Sequence, residues 1–364
     1  MGLGSAGGTP GRFGAMETES EPIVVKLDTP TAIVEAMPTF VGFHPRESLV
    51  VMCLRGPRKR NGLTMRIDLP EPRHDRALAA DLARRAAIDK ADAAIVVCYT
   101  SAPDTGGLLP RTALVDEQIE RLRRRGIGLA EALLVRDGRW FSYTCAQDCC
   151  PRQGTPIPDE PSGPMARLAA ERALTGRTVL PDRGALVASV AGPVALRLVA
   201  LQQTYDRVDA AVAGEIADEG LDPVCERTIA LARDAFGRYV EGRRQLDDAD
   251  AARIVLGLHD KHARDELTTW AIDGHADELI AFLTDLAQRT PDRDAAPICT
   301  VLASAAYQHS DGALAAVALE RALRSDPSYR MAWLLFAMLD RQVDPDEVQA
   351  LSRDVRRDLR RRAG

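Results

Sequence analysis

Hydrophobic positions follow two different rhythms along this chain, and the change comes near residue 190. Before it, apolar runs and alternating stretches bounded by turn residues predict strands. After it, apolar residues recur only at helical spacing. Residues 48–54 make a nearly unbroken apolar run and read as a buried strand. Residues 63–69 alternate, with Leu63, Met65, Ile67 and Leu69 on one face and Thr64, Arg66 and Asp68 on the other. The loop ending in Asn61-Gly62 joins the two as a hairpin. A second buried strand covers 93–99, and strands at 131–135 and 139–143 flank Asp137-Gly138, a strong hairpin signal. Ahead of them Thr29-Pro30 opens a short helix that ends before Pro38, and between them a second helix spans 75–89 and a third carries Val115, Ile119 and Leu122 on one face with Gly126 as its stop. The order β-β-α-β-α-β-β predicts a mixed sheet with flanking helices, in which helical crossovers favour parallel pairing of the strands they connect.

Residues 151–164 are too rich in proline for a regular element. A helix at 165–175 and a short segment near 179–186 complete the first half. Amphipathic helices are then expected near 195–219, 222–244, 248–258, 262–272, 275–289, 297–309, 312–325, 329–340 and 345–361, with Leu279, Phe282, Leu283 and Leu286 forming a clear apolar stripe. The expected organisation is a disordered tail over 1–22, an α/β domain over 23–190 and an all-helical domain over 191–364. Within the last, 296–339 resembles one tetratricopeptide repeat: Leu302, Ala303, Ala306, Ala315, Leu319, Ala322 and Pro327 hold the packing positions, and Trp333 begins a following unit. A single repeat cannot form a solenoid, so it reads as a helical hairpin inside a larger bundle.

Composition narrows the picture. Aromatics are 4% of the 364 residues, so the cores are built from Ala, Leu and Val. A net charge of -6 argues against a general nucleic-acid binder. No stretch approaches a membrane span. The Gly-rich start, where Met16 is an alternative first residue, lacks the pattern of a secretory signal. With seven cysteines, an odd number, the expected setting is the reducing cytoplasm.

Two places gather chemistry. Cys145, Cys149 and Cys150 sit on the loop after a strand, where grouped thiolates can ligate zinc, with His44 as a conceivable fourth ligand. The spacing is not that of the common paired-cysteine modules, and a redox pair or inert packing stays open. Cys53, Cys98, Cys225 and Cys299 fall in apolar segments and read as core. The second place is the turn carrying His44, Arg46, Glu47 and Ser48, where His supplies a base or ligand and Arg an anchor for an anion. There the alternative is a turn shaped by His44 and Pro45 with Ser48 bonding backbone. Nucleotide-binding loops, dinucleotide fingerprints, zinc-protease motifs and a nucleophile elbow are absent from the sequence.

Three segments carry a family resemblance: 42–50 (GFHPRESLV), 137–143 (DGRWFSY), and Cys145 with Cys149-Cys150-Pro151 and Gly154-Thr155-Pro156. They resemble an actinobacterial family known as domain of unknown function 4192, as does the later run through 311–323. The resemblance implies no activity. It leaves Trp140, inside the second motif, as a further binding candidate beside His44, Arg46, Glu47 and Ser48. The expected function is that of a cytoplasmic binding or regulatory protein, with the helical half available to a protein or peptide partner. The alternative is an enzyme whose site joins His44 and Arg46 to the cysteine loop, with zinc as the cofactor.

Overall fold

The computed structural model describes residues 26–145, 147–161, 163–174 and 178–363. The tail expected over 1–22 lies outside them. One sheet contains β1 (Ser48–Arg55), β2 (Arg60–Asp68), β3 (Ala93–Tyr99), β4 (Gly128–Arg136), β5 (Arg139–Ser142) and β6 (Thr155–Pro156). Their spatial order is β2-β1-β3-β4-β5-β6. β3 and β4 pair parallel, and the remaining neighbours pair antiparallel.

Three helices flank the sheet: α1 (Pro30–Val41), α2 (Asp75–Ile88) and α3 (Thr112–Arg123). The crossover through α3 joins adjacent parallel strands, as expected. The one through α2 joins β2 to β3, which run parallel but have β1 between them. The reason is burial: β1 is apolar on both faces and needs neighbours on both edges, whereas half-exposed β2 suits the rim. α1 also differs from expectation. It runs through Pro38 and stops at Gly42, whose φ of 85° is left-handed and whose N–H bonds to the Pro38 carbonyl at 2.8 Å. Pro38 loses its own donor and crowds the Val34 carbonyl, and burial of Met37 and Val41 outweighs that cost and carries the helix one turn further. The proline-rich stretch likewise holds a short strand, β6, since an edge position tolerates Pro156.

The rest is helical: α4 (Gly163–Leu174), α5 (Arg183–Ser189), α6 (Ala195–Glu219), α7 (Leu221–Val240), α8 (Asp248–Gly257), α9 (Lys261–Thr269), α10 (Ala276–Gln288), α11 (Ala295–Gln308), α12 (Gly312–Ser325), α13 (Arg330–Asp340) and α14 (Pro345–Ala363). Among the described residues no strand follows β6, apart from a bridge between Phe43 and Leu180. α11 is buried along its whole length, and alanines 303, 306, 315 and 322 let it lie close against α12. No helix among the described residues is long and apolar enough to cross a membrane.

Strand alternation sorts the core into two layers. Val51, Cys53, Val96, Cys98, Leu134 and Phe141 face α2 and α3. Val50, Met52, Val97, Tyr99, Leu133 and Trp140 face α1, and this second layer continues without a break into the helical half. One buried cation sews the seam. The Arg321 guanidinium on α12 donates to the carbonyls of Val190, Ala287 and Thr290, each at 2.7 Å, so it satisfies chain ends that no helix bond can reach. Gly192 must be small there, because a Cβ would lie 2.5 Å from the guanidinium.

Candidate functional site

The 44–48 turn is held mainly through its backbone. The His44 N–H donates to Leu180 O at 3.0 Å, and the Leu180 N–H returns a bond to Gly42 O at 2.9 Å. The His44 side chain is exposed, as is that of Arg46, whose carbonyl accepts from the Arg66 guanidinium at 3.2 Å. Glu47 has a left-handed φ of 38°. That conformation aims its carboxylate at the end of β3, where it accepts from the Ser101 N–H at 2.7 Å, the Thr100 hydroxyl at 2.8 Å and the Ser101 hydroxyl at 3.0 Å. Burial alone would raise the Glu47 carboxyl, but these donors outweigh it and hold the group below its ordinary value. Ser48 is wholly buried, and its hydroxyl has no hydrogen-bond partner among the described residues. Trp140 is also buried, with its indole N–H donating to the Thr31 hydroxyl at 3.0 Å and so pinning α1 to the sheet.

The three loop cysteines come together. Their sulfurs lie within 4.8 Å of one another, with Cys145 to Cys149 at 3.7 Å and Cys149 to Cys150 at 3.9 Å. A local turn makes this possible for adjacent cysteines: the Cys150 N–H bonds to Gln147 O at 2.8 Å, and the Ser142 hydroxyl accepts the Cys145 N–H at 3.0 Å. Cys149 is exposed, and the other two are half-buried. The Gln147 backbone N–H, helped by the neighbouring thiols, lowers the Cys145 thiol, whereas burial pushes Cys150 up to about 12. Residue 146 lies outside the described residues.

His44 does not join this group. Register aligns Ser48, Tyr99, Val135 and Trp140 in one row across the sheet. His44 precedes that row on β1, and Cys145 follows it on β5, which runs in the same direction. The two motifs therefore sit towards opposite ends of strands whose rows are offset sideways by three spacings, about 14 Å.

A third feature was not legible in any motif. A cavity of about 520 Å³ opens where α1 and α5 meet α10 and the turn between α11 and α12. Phe40, Leu180, Leu186 and Ile280 give it an apolar floor. Asp277, Asp285, Asp311, Arg244 and His309 bring polar groups to its wall. Asp311 caps α12 by accepting the Leu314 N–H at 3.0 Å, Asp285 pairs with Arg289 at 2.9 Å, and the Arg244 guanidinium lies over the Tyr239 ring at 5.7 Å. None of His44, Arg46, Glu47, Ser48 and Trp140 lines it.

The model of one protein family, described as a domain of unknown function (DUF4192), matches residues 30–346, most of the chain. No curated protein and no solved structure matches it.

Proposed function

We propose, for a chain that belongs to the domain-of-unknown-function family DUF4192, a binding function in which the seam cavity holds a small organic ligand. The observation that carries this reading is the cavity itself. Its volume, about 520 Å³, falls in the range of small-molecule sites, and it combines an apolar floor with a few placed polar groups. Asp311 and His309 are already bonded to the helix and to Ala271, but Asp285, paired with Arg289 through one oxygen, keeps its buried Oδ2 without a hydrogen-bond partner among the described residues, which favours a ligand bearing a cationic or hydrogen-bond-donating group. Walls drawn from both halves also suit regulation, because occupancy stiffens the contact between them. The catalytic alternative has less support, since sheet register holds His44 and Arg46 away from the cysteine loop.

The test is a thermal-shift screen of small amines against size-matched carboxylates, run on the wild-type chain and on Thr284→Trp, which fills the cavity from α10. The expected result is a set of amine hits that raise the wild-type Tm and vanish in the variant, whose own melt is unchanged. Hits that survive the tryptophan, or none among the amines, would remove the reading.

A further inference from the structure

The cysteine loop is a separate matter from the cavity, and its geometry says more than residue type alone. The chain has four other cysteines, Cys53, Cys98, Cys225 and Cys299, all buried. Cys53 and Cys98 pack into the layer under α2 and α3, and Cys299 lies inside α11. Inert thiols belong in such places. Cys145, Cys149 and Cys150 depart from that pattern: they collect on one surface loop with their sulfurs turned towards a common point. Among the described residues, no other group of three His, Cys, Asp or Glu side chains converges in this way.

The separations are informative. A disulfide needs sulfurs about 2.0 Å apart, well inside the 3.7 and 3.9 Å seen here. Zinc held tetrahedrally at about 2.3 Å per sulfur sets neighbouring ligand sulfurs about 3.8 Å apart. Two of the three pairs match the second spacing, and the third lies within 4.8 Å. We infer that Cys145, Cys149 and Cys150 form a three-thiolate site for a thiophilic divalent cation of the zinc class, with its fourth coordination position open to solvent.

Binding exchanges three thiol protons, released to water, for three metal–sulfur bonds, and no oxidant or reductant takes part. Structural zinc sites are closed by four protein ligands, whereas three ligands and an open position mark a site that can take up an outside group. The ion would also fasten the end of β5 to the start of the proline-rich stretch, which has few regular hydrogen bonds of its own.

The experiment uses the full chain, stripped of metal and kept reduced, with zinc alone as the probe. Elemental analysis after gel filtration is expected to give about one zinc per chain. Cobalt substituted for zinc is expected to show thiolate charge-transfer absorption and the visible bands of a tetrahedral centre. Cys149→Ser, at an exposed position that leaves the fold intact, is expected to weaken zinc at least about 10-fold against a competing chelator. Cys225→Ser is expected to leave it unchanged. Absence of zinc uptake, a cobalt spectrum without thiolate bands, or uptake equal in wild type and Cys149→Ser would each overturn the site.

Discussion

The 44–48 turn and the 145–150 loop make an instructive pair. Both adjoin a strand, both carry titratable side chains, and both stand out in the sequence. In the turn, the fold consumes the one carboxylate: Glu47 is filled by three donors at the end of β3, while the exposed His44 side chain joins no cluster of ligating groups among the described residues. In the loop, the thiols face one another, and beyond them Cys145 draws on the Gln147 backbone N–H. A group whose hydrogen-bonding or ligating capacity is already used by the fold is a poor candidate for function. One left free and converging is a better one.

That contrast can be broken by mutation. The largest effect is expected at Trp140, the buried anchor of the second motif. Trp140→Ala removes a full side chain from the core and leaves the Thr31 hydroxyl without its donor, which costs about 3–5 kcal/mol. Chemical denaturation checks this; a loss under about 1 kcal/mol would mean that Trp140 is held for something other than packing.

A smaller and pH-dependent loss is expected at Glu47. Its folded carboxyl titrates below its unfolded value, so its contribution is fully present above the ordinary glutamate range and fades as pH falls through the folded value. Glu47→Gln should therefore cost about 1 kcal/mol near neutral pH, a modest figure because the carboxylate is partly solvated. The Tm gap to wild type should close in acid. A gap independent of pH would show that shape, not charge, does the tying.

The same contrast explains what could be read in advance. Element order was legible because burial imposes a period of two on strands and 3.6 on helices. The segment 195–219 and the strand 93–99 emerge as α6 and β3 with unchanged bounds. The missed features are those set by tertiary packing: the run of α1 through Pro38, β1 lying between β2 and β3, and strand β6 in the proline-rich stretch. The cysteine group was visible as residue types, but its convergence depends on a turn at Gln147, and the distance of His44 from it depends on sheet register. The cavity left no local trace, because Phe40, Leu186, Arg244, Asp285 and His309 come from segments far apart in the chain. Arg321 is equally silent, a single cation within an apolar helical face whose three carbonyl partners belong to other elements.

The sharpest measurement is thiol labelling of the reduced, metal-free chain, mapped by peptide mass spectrometry. Cys145, lowered by the Gln147 N–H, and exposed Cys149 should take the label first, with Cys150 slower because burial raises it. Cys53 and Cys98, pushed by burial to about 12 and about 11, and Cys299, to about 11, should stay unmodified until the chain unfolds. Labelling spread evenly over all seven cysteines, or a loop as inert as the core, would contradict the distinction between consumed and free chemistry.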